Sequence, residues 1–398
     1  MEDRFVYADN AATTPIDPRV LEKMMPFLTT EYGNASTLYS LGHASHDAME
    51  NARAQVARLM NADPAEIYFT GCGSESDNMA LRGWMHSKQA GGKKHLITTA
   101  IEHHAILHTA QALEKEGFEV TYLPVDKHGM VELDTLEKAI RPDTAMVSVM
   151  FANNEIGTVN PIAEIGRLCR EKGILFHTDA VQAYGHVPVD VKAMNIDVLS
   201  LSGHKINAPK GVGAIYIRKG VMLTPLIAGG GQEKGRRAGT ENIASIVGLG
   251  EAARIRREHM AEEASYVGGL SRKLIDGVLT LPQTILTGHP TQRLPGTCSF
   301  CINAIEGESL VLMLDMNGIC ASTGSACSTG SLDPSHVLLA IGRVHDVAHG
   351  SLRLSLCEYN TDEEVDHILK VVPEVVQYLR NMSPVWRDLQ TGKREYIL

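Results

Sequence analysis

Strand patterns and helix patterns alternate along the chain from about residue 65 to residue 217. The strand patterns are short apolar runs such as EIYFT, HLITT and ILFHTD. The helix patterns between them repeat apolar residues at helical spacing, and PIAEIGRLCREK is followed by Gly173, a typical helix stop. Because this alternation is typical of a sheet whose strands run mainly parallel, we predict an α/β fold.

The length of the chain indicates more than one domain. A chain of 398 residues is too long for one simple core and suits two domains. A long helix pattern runs to Val278, and beyond it GTCSFCINAI, NGICAS and GSLRLSLCEY predict strands, before a closing helix in DEEVDHILKVVPEVVQYLRNM. We predict a large domain over residues 16–256, with its mainly parallel sheet, and a smaller α+β domain formed by residues 1–15 with 257–398.

A lysine lies in the polar turn between two buried strand patterns, within residues 196–217. The apolar run IDVLSL stops at Ser202-Gly203-His204-Lys205 and resumes at Ala214. Strand ends hold ligands in α/β sheets, and a lysine there is suited to form a Schiff base with a carbonyl cofactor. Taken alone, however, a lysine in a turn is more often an ordinary surface residue.

Two other strand ends supply what one such cofactor needs. Asp179 ends the strand ILFHTD, where an unpaired buried carboxylate would be costly. Ser74 lies in a glycine-containing turn before a helix, which outlines a phosphate cradle. Pyridoxal phosphate requires a lysine for its aldehyde, a carboxylate for its ring nitrogen and donors for its phosphate. Lys205 and Asp179 fit the first two needs. Ser74, Ser202 and His204 suit the phosphate, and His103 suits the face of the ring.

Cys327 lies in a segment of small residues, ASTGSACSTG. Such a segment has little apolar surface to bury, so we expect it to be mobile and its thiol to be accessible. On this pattern alone, a reactive thiol and an ordinary one are equally good interpretations. Cys298 and Cys301 form a CxxC pair without the second pair that a zinc site needs, and we interpret them as core or strand cysteines.

Charge and composition narrow the class of protein. The net charge of −10 argues against a nucleic-acid partner or an anionic membrane. No apolar run approaches the roughly 20 residues that span a bilayer, and MEDRFVYADN lacks the pattern of a secretory signal. Seven cysteines in a chain of this size favour a reducing cytoplasm. His104 and His108 have helical spacing but lack the glutamate of the HExxH motif, so we predict no metal.

A series of motifs runs in order through nearly the whole chain. They are DNAATTP (9–15), YGNAS (32–36), GCGSESDN (71–78), EHHAIL (102–107), NNEIG (153–157), HTDAVQ (177–182), SGHK (202–205), GGGQEKGRRAGT (229–240) and STGSACSTG (322–330). In these motifs the chain resembles the NifS/IscS-type cysteine desulfurases. This group belongs to the class V aminotransferases, within the fold-type I (aspartate aminotransferase-like) pyridoxal phosphate enzymes. The long cysteine-bearing motif resembles that of the NifS/IscS group more than the shorter motif of its SufS-like relatives.

The resemblance implies a role for each matching residue. Lys205 would be the Schiff-base lysine, Asp179 would pair with the pyridinium nitrogen, and Cys327 would take the sulfur. The supporting roles fall to Gly73, Ser74, Ser202 and His204 at the phosphate, Gln182 at the ring hydroxyl, Asn154 at cofactor or substrate, His103 stacked on the ring and moving protons, Arg353 at the substrate carboxylate, and Thr240 at the phosphate from a second subunit. Without the resemblance, Arg353 would be interpreted as a surface strand arginine.

The activity that the resemblance implies is the conversion of L-cysteine to L-alanine with a persulfide on Cys327. A homodimer is implied as well, together with an iron–sulfur scaffold or another sulfur-acceptor protein as partner. The alternatives are a selenocysteine lyase, another fold-type I enzyme such as an aminotransferase, and a non-catalytic sulfur carrier. Two departures from the usual motifs stand out: Ala35 replaces a proline, and GCGS (71–74) replaces Ser-Gly-Ala-Thr, which adds a thiol close to the cofactor.

Overall fold

The computed structural model describes residues 5–324 and 334–394, and a central sheet organises the first half of the chain. The chain opens with β1 (Val6–Tyr7), and the central sheet uses β2 (Ile67–Thr70), β3 (His95–Thr99), β4 (Glu119–Leu123), β5 (Thr144–Ser148), β6 (Leu175–Asp179), β7 (Val198–Ser202) and β8 (Gly213–Ile217). Within the described ranges the strand order is β2-β8-β7-β6-β5-β3-β4. All neighbours pair in parallel except β8, which is antiparallel to both β2 and β7. The predicted mainly parallel α/β sheet is confirmed.

Helices connect these strands, and clear sequence signals mark the ends of some of them. They are α1 (Pro18–Thr29), α2 (Ser40–Leu59), α3 (Gly73–Met85), α4 (His104–Lys115), α5 (Leu133–Ala139), α6 (Ile162–Lys172) and α7 (Ile243–Val278). The Asp17 side chain caps α1 by accepting a hydrogen bond from the Arg19 amide, with Pro18 at the first helical position. Gly173 ends α6 at φ 64°, in the left-handed region that suits glycine.

The second half of the chain builds smaller sheets. Its strands are β9 (Thr284–Leu286), β10 (Thr297–Ile302), β11 (Ile319–Cys320) and β12 (Ser351–Ser355). Its helices are α8 (Gly307–Asp315), α9 (His336–Ala340), α10 (His345–Ala348), α11 (Asp362–Met382) and α12 (Pro384–Gln390). In the described part of the chain, β12, β10 and β9 form an antiparallel sheet, and β1 pairs with β11 in parallel. The chain therefore returns its N-terminal strand to the C-terminal half.

Two of the groups of buried apolar side chains divide α7 between them, one around the central sheet and one around the small sheets. The first group takes α7 residues up to Ile255, and the second takes α7 residues from Val267 onward together with Val6. Arg256 lies where the groups meet. It is 4% exposed and donates to Glu263 at 2.6 Å and to Glu358 at 2.7 Å. The domain boundary near residue 256 stays a prediction, and we propose it because this division of the core supports it.

The parallel arrangement brings the carboxyl ends of β3, β5, β6 and β7 to one edge of the sheet. Asp179 is the last residue of β6, and it lies beside Ser200 of β7 in the strand register. The turn Gly203–Lys205 follows β7 directly. Among the described helices, none is both long and apolar enough to pass through a bilayer.

Candidate active site

A cavity lies at the carboxyl ends of β6 and β7. Its volume is about 1100 Å³, including the part that is open to solvent. It gathers ten of the twelve predicted site residues: Gly73, Ser74, His103, Asn154, Asp179, Gln182, Ser202, His204, Lys205 and Arg353. These residues come from positions up to 280 apart in the chain (353 − 73), so the fold and not the sequence neighbourhood assembles them. Their placement in one cavity is observed, while the role of each stays a prediction.

The amine of Lys205 is fixed at the cavity wall by hydrogen bonds to the backbone. Its Nζ donates to the carbonyl oxygens of Ala11 at 2.6 Å and Ala12 at 2.9 Å. The Gln182 side-chain amide donates to the same Ala11 oxygen at 2.9 Å. The N-terminal motif DNAATTP therefore positions two of the predicted cofactor-binding side chains through its backbone.

Asp179 is a buried carboxyl in the same cavity, only 5% exposed. Its Oδ1 accepts a hydrogen bond from the Val181 amide at 2.9 Å. Burial raises the pKa of Asp179 to about 6, although the Val181 amide and the charge of Lys205 both act to lower it. A carboxyl with this pKa binds and releases a proton close to neutral pH, which suits a partner for a basic ring nitrogen.

The first turn of α3 forms an open anion cradle at the cavity. Its N-cap residue, Cys72, makes no side-chain capping bond, so the amides of the first turn remain available to an anion. Gly73 packs tightly here, because a Cβ at this position would lie 2.7 Å from Cγ2 of Val181. Ser74 and Ser202 place hydroxyl-bearing side chains on the same cavity. This arrangement can bind a phosphate group.

The two histidines that line the cavity are held neutral. His103 is the N-cap residue of α4, and its Nδ1 accepts a hydrogen bond from the Ala105 amide at 3.1 Å, so the ring proton lies on Nε2. Burial and the charge of Lys205 lower the pKa of His103 to about 4. Burial likewise lowers the pKa of His204 to about 4. Near neutral pH both rings therefore carry no charge, and each already uses Nδ1 in a hydrogen bond, His103 with the Ala105 amide and His204 with the Thr13 hydroxyl.

Arg353 is 2% exposed and its guanidinium borders the cavity. It donates through Nη2 to Asp9 at 2.8 Å and through Nη1 to the carbonyl of Asn154 at 2.9 Å. Within residues 5–324 and 334–394, the buried Nε of Arg353 has no hydrogen-bond partner. The interpretation as a surface strand arginine, which the residue pattern alone favours, is wrong. The buried guanidinium retains donor capacity that suits a carboxylate ligand.

Two predicted site residues are not part of the cavity as described. Thr240 is exposed and does not line it, and its role across a subunit interface stays a prediction. Cys327 lies outside the described residues. Gly324, the last described residue before it, lines the cavity. Arg237, in the same loop as Thr240, pairs with Glu75 at 2.8 Å.

Asp77 is a buried acid that also lines the cavity, and it is absent from the residues that the sequence predicts there. It is 1% exposed, and within the described residues its Oδ1 has no hydrogen-bond partner. Burial, followed by the charge of Asp179, raises the pKa of Asp77 well above its usual range. A protonated Asp77 leaves Asp179 as the acid that carries charge in this pair. The sequence carries one signal for Asp77, because this acid lies about one turn into the helix that follows the predicted phosphate cradle, in the motif GCGSESDN (71–78).

Comparisons with known proteins agree with this architecture. The aminotransferase class-V family matches residues 6–368. A protein named cysteine desulfurase IscS from Methanosarcina thermophila is 56% identical over 384 residues, which are 96% of this chain and 95% of the relative. A solved NifS-like protein is 41% identical with a TM-score of 0.89 over 94% of this chain and all of its own. A structure of SspA in complex with cysteine is 37% identical with a TM-score of 0.80, over 89% of this chain and all of its own. The chain belongs to the aminotransferase class-V family.

Proposed function

We propose that this protein is a pyridoxal-phosphate-dependent cysteine desulfurase, which converts L-cysteine to L-alanine and leaves the sulfur on Cys327 as a persulfide. The observation that carries the proposal is the single cavity shared by the Lys205 amine, the Asp179 carboxyl and the Arg353 guanidinium. Extensive identity to a protein named cysteine desulfurase supports the activity, and a relative solved in complex with cysteine supports the substrate.

The residues of the cavity fit pyridoxal phosphate. Lys205 would hold its aldehyde carbon, Asp179 its ring nitrogen and Gln182 its ring hydroxyl. The uncapped start of α3, with Gly73 and Ser74, would hold its phosphate together with Ser202 and His204, and His103 would lie against its ring. When bound, the cofactor supplies an electron sink for the substrate carbon that loses its proton.

The chain's own groups then divide the work on the substrate. Arg353 binds the carboxylate of L-cysteine through its charged, planar guanidinium, and the adjacent Asn154 helps to orient the molecule. The Lys205 amine accepts the proton from Cα. The Cys327 thiolate attacks the substrate sulfur, so that an S–S bond forms while the Cβ–S bond breaks and its electron pair stays on carbon. Protonation of that carbon gives alanine, and no external oxidant or reductant is consumed.

A second subunit and a sulfur acceptor complete the proposal. Thr240 is exposed and away from the cavity of its own chain, which suits a phosphate contact in a homodimer. Large apolar side chains are exposed between α1 and α2, where Tyr32 is 73% and Leu38 is 92% exposed, and a partner subunit would cover such residues. The persulfide would pass to an iron–sulfur scaffold or another acceptor protein. We propose that this takes place in a reducing cytoplasm.

Replacement of single cysteines by serine tests the proposal. In Cys327→Ser we expect production of sulfide from L-cysteine under reducing conditions to fall to background while the protein stays yellow, because the nucleophile alone is lost. Cys72→Ser is the matched control, since Cys72 is an exposed thiol that already lines the cavity. We expect Cys72→Ser to retain sulfide production. Normal activity in Cys327→Ser, or its loss in Cys72→Ser alone, would place the sulfur on another residue.

Two further measurements separate the competing functions. In Lys205→Ala we expect loss of the absorbance band near 420 nm (approximate) that a lysine-bound cofactor gives. A colourless wild-type protein that cannot be loaded with the cofactor would favour a non-catalytic sulfur carrier. Alanine release is then compared between cysteine and selenocysteine. Release from selenocysteine alone would identify a selenocysteine lyase and contradict the proposed activity.

A further inference from the structure

Three histidine rings meet outside the cavity, where α4 approaches the start of α9. His104 and His108 lie one turn apart on α4, and their ring centroids are 5.0 Å apart at an interplanar angle of 17°. His336, the first residue of α9, places its ring centroid 4.9 Å from that of His104. The sequence alone shows only the pair on α4, because His336 is more than 200 residues away (336 − 108 = 228).

The hydrogen bond of His336 fixes which of its nitrogens is available. Its Nε2 lies 3.0 Å from the carbonyl oxygen of Glu102. A carbonyl only accepts hydrogen bonds, so Nε2 carries the proton and Nδ1 has the open lone pair. Metal-binding histidines characteristically donate their second ring N–H to a backbone carbonyl or a carboxylate in this way, which fixes both tautomer and ring orientation. His336 is thus already in the form that a metal ligand requires.

The ring nitrogens of the two histidines on α4 are also available to a metal. Within the described residues, no hydrogen bond engages a ring nitrogen of His104 or His108. Burial lowers the pKa of His104 and of His336, and the neighbouring rings lower each of them further. Neutral imidazole is the form that coordinates a metal.

The separations of His104 from His108 and from His336 suit ligands on one ion, although the rings of His104 and His108 are nearly parallel and one of them must turn before both nitrogens face the same ion. Two imidazoles bound to a tetrahedral metal at about 2.0 Å have ring centroids roughly 5 Å apart, close to the two measured separations. As the side chains now stand, no group of three ligating side chains in residues 5–324 and 334–394 is arranged to hold a metal. His108 is exposed, so its ring can rotate toward the other two without displacing packed neighbours.

We propose that His104, His108 and His336 form a binding site for a divalent late transition metal ion such as Zn²⁺ or Ni²⁺. Imidazole nitrogen suits these ions, whereas Mg²⁺ and Ca²⁺ prefer oxygen ligands. The ion would tie α4, which begins next to the cavity residue His103, to α9 in the C-terminal half of the chain. The site is independent of the proposed desulfurase function, because it uses none of the residues assigned to that reaction.

Calorimetric titration of the intact, chelator-treated protein with NiCl₂ tests the site. Binding is compared between the wild type, His108→Ala and His336→Ala, all in the Cys327→Ser background so that the reactive thiol does not compete for the ion. We expect one Ni²⁺ per chain in the wild-type histidine background and at least tenfold weaker binding in each histidine variant. The matched control is His46→Ala, which removes an exposed histidine from α2 and should not change the affinity.

Two results would overturn the proposal. One is undiminished Ni²⁺ binding in both His108→Ala and His336→Ala, which would place the ion elsewhere. The other is the absence of stoichiometric binding in the wild-type histidine background. Because His336 is partly buried, His336→Gln is measured too; it retains an N–H donor for the Glu102 carbonyl while removing the imidazole nitrogen. Wild-type affinity in a folded His336→Gln protein would exclude His336 as a ligand.

Discussion

Arg353 shows how a single side chain in this cavity combines a structural and a functional role. Its two outer nitrogens are engaged, one by the Asp9 carboxylate and one by the Asn154 carbonyl, and these contacts fix the plane of the guanidinium. Asp9 does not neutralise the donor capacity of the group, because the buried Nε has no partner among the described residues. A planar group held in this way is prepared for a carboxylate before any ligand arrives.

Arg353→Lys separates charge from geometry at this position. Lysine keeps the positive charge but not the planar arrangement of donors, so we expect the KM for L-cysteine to rise at least about tenfold, with a smaller change in kcat. Steady-state alanine release measures both constants. Arg167→Lys, at an exposed arginine of α6, is the matched control and should leave both unchanged. An unaltered KM in Arg353→Lys would show that the guanidinium does not bind the substrate carboxylate.

The sequence predicts those individual site residues whose local pattern is informative. Lys205 and Asp179 stand at the ends of apolar runs, where polar residues commonly face ligands, and both line the cavity. The environment of Arg353 could not be predicted in this way, because its partners Asp9 and Asn154 are 344 and 199 residues away. The raised pKa of Asp77 could not be predicted either, because it results from burial by residues that are distant in the sequence.

The start of α3 is the element on which phosphate binding would depend. The helix begins at Gly73 directly after the strand β2 and the two-residue link Gly71-Cys72, and no side chain caps it. Gly73 allows the first turn to lie against Val181, which follows Asp179 by two residues. The helix start and the buried acid are therefore held at a fixed separation by direct packing.

Gly73→Ala should disturb this packing. The added Cβ would lie 2.7 Å from Val181 Cγ2, so either the helix start or Val181 must move. We expect a loss of about 1–3 kcal/mol in the free energy of unfolding, together with a faster loss of bound cofactor on dialysis. Urea denaturation and the cofactor absorbance band measure the two effects.

A glycine in open space provides the control for this substitution. Gly269 lies within α7, and a methyl group added to its Cα would have no neighbouring atom within 4 Å. Gly269→Ala should therefore stabilise the protein by about 0.5–1 kcal/mol without affecting the cofactor. If Gly73→Ala behaved like Gly269→Ala in both measurements, the close approach to Val181 would not control the cradle.

Periodicity predicts the long, regular helices and strands and misses the short ones. The strands of the central sheet and the helix α7 are all predictable, because each has a sustained apolar pattern and clear ends. The elements that escape prediction include β9 with three residues and α5 with seven, which carry too few residues to show a period. The insertion of the antiparallel β8 between β2 and β7 is a result of tertiary packing, which sequence order does not specify.

Buried glutamates and buried histidines are distributed through the molecule, and they have opposite effects on how its stability changes with pH. Burial raises the pKa of Glu102 to about 8 and that of Glu155 to about 7. Burial lowers the pKa of His177 to about 3 and that of His186 to about 4. Both kinds of group favour the uncharged form in the folded protein, because the interior solvates charge poorly.

These shifts predict where the protein is most stable. The histidines bind protons more strongly in the unfolded chain, so their contribution to stability grows as the pH rises and is complete above the unfolded value of 6.5. The two glutamates bind protons more strongly in the folded chain. Their contribution is complete below the unfolded value of 4.5 and is lost as the pH rises through about 7 and 8. Between pH 4.5 and pH 6.5 the two effects offset each other, so we expect the free energy of unfolding to be greatest in that range and to fall between pH 6.5 and pH 8.

Glu102→Gln should remove much of that fall. Glu102 Oε1 accepts hydrogen bonds from Thr99 Oγ1 at 2.8 Å and from the Met150 amide at 2.9 Å, and a glutamine oxygen can accept both. Because glutamine never ionises, the variant should retain about 2 kcal/mol that the wild type loses between pH 6.5 and pH 8. Urea denaturation at both pH values measures the difference, with Glu22→Gln, at an exposed residue of α1, as the control that should follow the wild type. An equal loss of stability in Glu102→Gln and the wild type would show that Glu102 is already ionised in the folded protein at pH 6.5.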